Sequence, residues 1–252
     1  MPSRAARSDV RARIARAASD LLEAGGRVAV TTRAVSDAAG VQPPTIYRHF
    51  GDMQGLLDVA AREILASHVR DQARRALTND PVEDLRRGWD LYIEFGLAHP
   101  DAFALLYAAP SSPASVSVID AGVAVLEGLV TRIAEAGRLR FDVRHATELM
   151  HAAGTGVVIS LATIAPRDRD PRLSASMRET MLSRISVPAR ADGPNGRPDD
   201  PPPHERVAVH AVALRTLLTE DPSVLSRAER QLLNDWLDRL AAAGRHGPTE
   251  AS

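Results

Sequence analysis

The side chains best suited to chemistry lie in a short proline-led segment, residues 42–50. A helix there turns hydroxyls, cations and rings outward, on Pro44, Thr45, Tyr47, Arg48 and His49. Such groups on a helix surface suit phosphate oxygens and the base edges of a duplex major groove. The alternative is that residues 31–50 are simply two short packed helices, as in many bundles.

Two short helices and a glycine must position this segment. The sequence predicts one helix that follows Thr31 and stops at Gly40, which permits a left-handed turn. The next begins at Gln42, where the two following prolines cost little because first-turn N–H groups have no helical partner. Apolar side chains are expected to pack on the inner side of the pair: Val35, Ala38, Ala39, Val41, Ile46 and Phe50. The pattern predicts a helix-turn-helix.

This run closely resembles the DNA-binding segment of the TetR family, in which a threonine-led helix, an Ala-Gly-Val turn and a Tyr-x-His-Phe ending recur in that order. The resemblance covers residues 8 to about 60. It implies that five residues lie closest to base edges: Arg33, Gln42, Pro43, Pro44 and Thr45. It implies that Thr32, Tyr47 and His49 mainly grip phosphate, while Arg48 serves either purpose.

One position departs from the family pattern. The family often has a lysine at the start of the fourth helix, where this chain has Met53. A phosphate contact is therefore missing, or is replaced by an arginine of the N-terminal arm such as Arg4 or Arg7. The resemblance also implies a homodimer that binds a palindromic operator and is released by a small-molecule effector.

Composition and charge agree with a soluble cytoplasmic protein. The 252 residues are 44% hydrophobic and include no cysteine, which excludes disulfides and thiolate zinc sites. Residues 1–70 carry ten arginines against seven carboxylates, so a basic N-terminal part precedes an acidic remainder. This asymmetry favours a polyanionic partner for the N-terminal part. The charged start predicts no signal peptide.

Helical periodicity and capping signals predict an all-α fold. A first helix is expected from Ser8 to Gly25, and further helices follow residue 50: 52–77, 80–98, one opened by Pro100, 115–137, 142–165, 171–187, 205–220 and 226–243. Residues 188–203 predict a flexible proline-rich loop, and 245–252 a frayed tail. We expect a three-helix DNA-binding domain at 1–52 and a helical-bundle ligand-binding and dimerisation domain at 53–244.

Five aromatic residues cluster within nineteen positions and are candidates for an effector pocket. These are Trp89, Tyr92, Phe95, Phe103 and Tyr107, to which His151 and Thr155 would add polar groups. A bundle core of this kind suits an apolar or weakly polar ligand. Ordinary core packing is the alternative.

A ridge of small residues predicts a dimer interface. Ala152, Gly156 and Ser160 recur at every fourth position within 149–165, a stretch just short of a typical membrane span. Small residues allow close helix approach, and the resemblance implies that two late helices of each subunit pair in a four-helix interface. The second helix is 171–187, 205–220 or 226–243.

No pattern indicates an enzyme, a cofactor or a metal. Gly154, Thr155 and Gly156 fall within a helix and form no nucleotide-binding loop, and the histidines show no pairs at zinc-binding spacing. Two other functions remain open. One is a DNA-binding architectural protein without an effector, and the other is a helical interaction module that has lost operator binding, as Met53 would signal.

Overall fold

The computed structural model describes residues 4–107, 112–188, 203–220 and 225–246. In these ranges the chain forms eleven α-helices: α1 Arg4–Gly25, α2 Thr32–Ala39, α3 Pro43–Phe50, α4 Met53–Ala73, α5 Pro81–Ala98, α6 Pro100–Tyr107, α7 Pro113–Glu135, α8 Val143–Ala162, α9 Arg172–Ile185, α10 Pro203–Glu220 and α11 Arg227–His246. The 3-10 turns Arg27–Ala29 and Pro166–Asp168 complete the helical structure there. The predicted all-α class is confirmed, since β pairing within the described ranges is limited to one bridge between Leu139 and Ser186.

Capping residues fix several helix starts where they were predicted. Asp80 Oδ1 accepts a hydrogen bond from Val82 N at 3.0 Å ahead of α5. Ahead of α11, Ser226 N donates to Glu229 Oε2 at 2.9 Å and Glu229 N donates to Ser226 Oγ at 3.4 Å, which is the expected capping box.

Two predicted helix ends differ from the observed ones by four residues, more than any other. Helix α1 begins at Arg4, so Ser8 lies inside it, because the preceding alanines and arginines are themselves good helix formers. Helix α4 ends at Ala73 and not at 77. Thr78 N and Oγ1 donate to Asp84 Oδ1 at 2.9 and 2.8 Å, and these bonds hold the chain in a non-helical turn.

The proline-rich loop predicted at 188–203 lies outside the described residues except for its two ends. Most of the tail predicted from 245 onward lies outside them as well, and α11 continues to His246.

Contacts divide the chain into two compact units. The first contains Met1–Arg75, Leu91–Val125 and Val158–Arg169, and the second contains Ala76–Asp90, Leu126–Val157 and Asp170–Ser252. The domain bounds 1–52 and 53–244 stay a prediction.

The core of the first unit forms where α1 packs on α4. Ile14 and Ala18 of α1 and Leu56 and Ala60 of α4 are all fully buried. Helices α5 and α8 also approach closely in this unit, because a Cβ added at Gly96 would lie 2.4 Å from Val158 Cγ1. A glycine is therefore required at that crossing on α5.

A buried ion pair anchors the second unit. Arg132 Nη1 donates to Asp84 Oδ2, and Arg132 Nη2 donates to Thr78 O at 2.8 Å. Burial alone would raise the pKa of Asp84, but the hydrogen bonds from Arg132 and Thr78 outweigh it and hold the pKa below its ordinary value. Arg132 thereby ties α7 to the first turn of α5 and to Thr78 just ahead of it.

Among the described helices, α7 is the one long and apolar enough to cross a membrane by length and composition, with a mean hydropathy of 1.6 over 18 residues. The stretch 149–165 does not meet that test. A single such helix is weak evidence for a membrane span.

Candidate functional site

The turn between α2 and α3 has the left-handed conformation that its glycine predicts. Thr31 caps α2, its Oγ1 accepting a hydrogen bond from Ala34 N at 3.2 Å. At the other end Gly40 has φ 61° and ψ 45°, and Val41 N donates to Ser36 O at 3.0 Å. A Cβ at Gly40 would meet nothing within 4 Å, so glycine is favoured there by backbone conformation and not by lack of space.

Helix α3 starts on its two prolines, as expected. Gln42 is extended and offers no side-chain cap, and Thr45 N donates to Gln42 O at 2.9 Å. Ile46 is the one buried residue of this helix. Pro43 and Pro44 are exposed.

Most of the predicted DNA-facing side chains are accessible. Arg33, Gln42, Pro43, Pro44, Tyr47 and Arg48 are exposed, while Thr32, Thr45 and His49 are half-buried. Tyr47 shares a hydrogen bond of 2.9 Å with Thr32 Oγ1, which joins the start of α2 to the middle of α3. Arg33 lies 3.9 Å from Asp37 with both side chains in solvent, so it is only loosely held.

One expected core residue was wrong. Ala38 is exposed, and Ser36 occupies the inner face of α2 together with Val35 and Ala39. Positions 36 and 38 flank the stripe formed by Val35 and Ala39 at equal angles, and the neighbouring helices cover position 36.

The start of α4 is fixed directly behind α3. Gly51 has φ 81°, and its N–H donates to Tyr47 O at 2.8 Å. Asp52 then caps α4 by accepting from Gly55 N at 2.7 Å. A Cβ at Gly55 would lie 2.4 Å from Phe50 O, so this turn is too tight for a side chain at 55.

The segment that contains α2 and α3 is similar in sequence to known regulatory proteins. Residues 14–60 match the family of bacterial regulatory proteins described as the tetR family. Over 63 residues the chain is 40% identical to the tetracycline repressor protein class A from transposon 1721 of Escherichia coli, which is 25% of this chain and 29% of that repressor.

Residues 14–60 are thus similar to the DNA-binding domain of the TetR family. Solved structures extend the likeness in fold beyond this domain. A protein of unknown function from Rhodococcus sp. RHA1 has a TM-score of 0.57 at 20% identity, covering 71% of this chain and 96% of that one. The transcriptional regulator FadR from Bacillus subtilis, solved with stearoyl-CoA, has a TM-score of 0.51 at 17% identity, covering 68% and 97%.

Sequence reasoning missed three residues that brace the segment matching the family. Arg11 Nη1 donates to His49 O at the end of α3. Asp101, in the first turn of α6, accepts a hydrogen bond of 2.6 Å from Arg27 N, just ahead of α2. Arg27 also donates to Gln54 Oε1 at 2.9 Å. No local pattern signals these contacts, because the partners are 27 to 74 residues apart.

Four of the five predicted pocket aromatics belong to the first unit, and three of them contact one another. Phe103 and Tyr107 stack with ring centroids 4.2 Å apart, as their i, i+4 spacing predicts, and Tyr92 meets Phe103 edge-on at 5.9 Å. The hydroxyls of Tyr92 and Tyr107 share a hydrogen bond, while burial raises the pKa of Tyr107. Phe95 and Phe103 are buried.

The other three predicted pocket residues belong to the second unit. Trp89 is buried and its Nε1 donates to Ser174 Oγ at 3.1 Å, so the indole packs between α5 and α9. His151 and Thr155 are half-buried on α8, and burial lowers the pKa of His151.

Two histidines pack against Phe95, the fourth of these aromatics. His68 of α4 stacks on Phe95 with centroids 4.2 Å apart, and His99 lies 5.1 Å from the same ring. Burial, and then the charges of His99 and Arg75, lower the pKa of His68 to about 4 against a smaller opposing effect of Asp71. His68 is therefore neutral near pH 7 and can offer an uncharged polar edge.

The small-residue ridge on α8 faces solvent in the single chain. Ala152, Gly156 and Ser160 are all exposed, and a Cβ at Gly156 would meet nothing within 4 Å. Ile159, on the same helix, is 49% exposed. Among the described residues, no cluster of three or more metal-ligating side chains occurs.

The lowered pKa of His68 predicts a pH-dependent stability. Between about pH 6.5, the ordinary pKa of histidine, and pH 4, His68 is protonated in the unfolded chain and neutral in the folded one. The free energy of unfolding therefore falls as the pH falls through that window. Urea unfolding at pH 7 and pH 5 should show this drop, and His68→Phe, which keeps a ring on Phe95, should make it smaller. An equal drop in both proteins would contradict the assignment.

Proposed function

We propose that this chain is a homodimeric transcriptional repressor that binds a palindromic operator and is released by a small apolar effector. The observation that carries the proposal is the exposed face of α3 within a domain of the TetR family. In this proposal residues 1–52 bind DNA, residues 53–244 bind the effector and form the dimer, and the protein acts in the cytoplasm without catalytic activity or a metal.

The roles proposed for the DNA-facing residues follow their positions. Arg33, Gln42, Pro43, Pro44 and Thr45 lie at the starts of α2 and α3 and would probe base edges in the major groove. Thr32, Tyr47 and His49 would hold phosphate, and Arg48 would reach either. The bond between Tyr47 and Thr32 supports this division, because it presents two hydroxyls together.

The effector site is proposed at the aromatic cluster of the first unit. Tyr92, Phe95, Phe103 and Tyr107 supply apolar surface and two hydroxyls. The stearoyl-CoA bound in the Bacillus subtilis regulator FadR supports a ligand with a long apolar part. Trp89 contributes to packing in this proposal, and His151 and Thr155 stay candidates on α8.

A route from this cluster to DNA runs through α6. Phe103, Tyr107 and Asp101 share this eight-residue helix, and Asp101 holds the backbone of Arg27 directly ahead of α2. Gly26, at φ 68°, lies so close that a Cβ there would meet Asp101 Oδ2 at 2.4 Å. A ligand that shifts α6 would therefore shift the turn that leads into the DNA-binding helices.

Selection of bound fragments from a random DNA pool tests DNA binding. We expect a palindrome with half-sites one helical turn apart, about 34 Å between centres. Tyr47→Ala and Arg48→Ala should each weaken binding to that site by about 1 to 3 kcal/mol because a phosphate or base contact is lost. Arg167→Ala, an exposed arginine outside the domain, is the control. Recovery of no palindrome, or unchanged affinity in both variants, would refute the proposed surface.

The effector proposal is tested by thermal shift against long-chain fatty acids, their coenzyme A esters and planar aromatic compounds. Compounds that bind the native state raise the melting temperature. At least one such compound should also weaken binding to the selected DNA by about 5- to 150-fold, the usual range of coupling between sites. Compounds that raise the melting temperature and leave DNA affinity unchanged would refute coupling to this cluster.

The dimer proposal is tested at Gly156. A leucine there would fill the open space along the ridge and push a partner helix away, so Gly156→Leu should move the protein from dimer to monomer in sedimentation velocity. Gly128→Leu, at an equally open position on α7, is the matched control and should stay dimeric. A dimeric Gly156→Leu protein would exclude this ridge from the interface.

A further inference from the structure

Helix α3 has few contacts of its own to set its orientation. It is eight residues long, its N-cap makes no side-chain hydrogen bond, and Ile46 is its one buried residue. The burial of Ile46 and the hydrogen bond between Tyr47 and Thr32 both hold the middle of the helix. A further contact near its C-terminal end is needed to direct Arg48.

Arg11 of α1 supplies a contact at the far end of α3. Its Nη1 donates to His49 O, a bond between residues 38 apart in sequence. Its guanidinium carbon lies 4.6 Å from the centroid of the Phe50 ring. The same side chain thus contacts a backbone carbonyl and a ring in the last turn of α3.

This contact is favourable on three counts. The last carbonyls of a helix lack partners within the helix, and Arg11 satisfies one of them. A cation at a helix C-terminus opposes the negative end of the helix dipole. The planar guanidinium can also lie over an aromatic ring while it donates a hydrogen bond, which a lysine ammonium does less well.

We propose that Arg11 is a positioning residue for operator recognition, holding the C-terminal turn of α3 so that Thr45 and Arg48 are directed at base edges. The inference rests on the proposed DNA-binding function. Arg11 acts through α3 and makes no phosphate contact of its own. Arg11 is exposed, and a guanidinium has five N–H donors, so direct phosphate binding is the competing role.

The two roles differ in their dependence on salt and on DNA sequence. A direct phosphate contact lowers affinity for every DNA when it is removed, and it reduces the slope of log affinity against log salt by about 0.9. A positioning contact leaves the number of phosphate contacts unchanged. Its removal weakens the selected operator and spares duplexes of random sequence.

The test compares Arg11→Ala, Arg11→Lys and Arg13→Ala as full-length proteins. Arg13 is the matched control, since it lies on the same helix, is exposed and pairs with Asp9 alone at 3.9 Å among the described ion pairs. Affinity is measured for the selected palindrome and for a random-sequence duplex across a salt series, with melting temperatures alongside. Wild-type binding to the palindrome tests the proposed function separately from the role of Arg11.

We expect Arg11→Ala to bind the palindrome about tenfold more weakly, as for a lost hydrogen bond from a charged group, with the salt slope and random-duplex affinity near wild type. Arg11→Lys should lose about threefold although its charge is kept, and Arg13→Ala should match wild type on the palindrome. Equal loss on both duplexes with a reduced slope, or wild-type palindrome affinity in Arg11→Ala and Arg11→Lys, would overturn the inference. If Arg11→Ala fails to fold, Arg11→Lys decides by the same criteria.

Discussion

The structure of the N-terminal domain depends on one constraint: a helix of eight residues with a single buried side chain must be held in orientation by its neighbours. Several neighbouring features together fix the orientation of α3. The left-handed Gly40 sets the direction in which the chain enters α3. The tight junction at Gly51 and Gly55 sets how it leaves, because α4 begins immediately behind the last turn. The large core between α1 and α4 provides a rigid support for both.

The same support extends beyond the matched segment of 14–60. The carboxylate of Asp101 contacts the turn between α1 and α2, so the approach to α2 is held by a helix that also carries Phe103 and Tyr107. A family match that ends at residue 60 therefore omits one of the contacts on which the orientation of the domain depends.

Sequence reasoning succeeded where the physical cause is local. Prolines, glycines and capping carboxylates act within one turn of helix, and for that reason the starts of α2, α3, α5 and α11 were predicted within one or two residues. The outward positions of Tyr47 and Arg48 follow from helical periodicity alone. Ala38 was expected on the inner side because alanine is apolar, but it is exposed, since register alone does not decide between positions 36 and 38.

Sequence reasoning failed where contacts join distant parts of the chain. Trp89 was grouped with Tyr92 because the aromatic residues are close in sequence, yet its indole donates a hydrogen bond to Ser174, 85 residues further on. His68 of α4 stacks on Phe95, and nothing in the sequence of α5 and α6 indicates that a residue of α4 contacts this ring. The end of α4 depends on the bond between Thr78 and Asp84, for which the sequence contains no periodic signal.

The paired prolines at the start of α3 have a chemical consequence for any duplex that meets them. A helix start usually presents free amide hydrogens that attract anions, but Pro43 and Pro44 have none to present. Their pyrrolidine rings instead form a small apolar surface. In the major groove, the base-edge group suited to apolar contact with this surface is the methyl group of thymine. These two prolines would distinguish DNA sequences by shape and by methyl groups. Methylation of a cytosine would therefore alter their fit to the major groove as directly as a change of base.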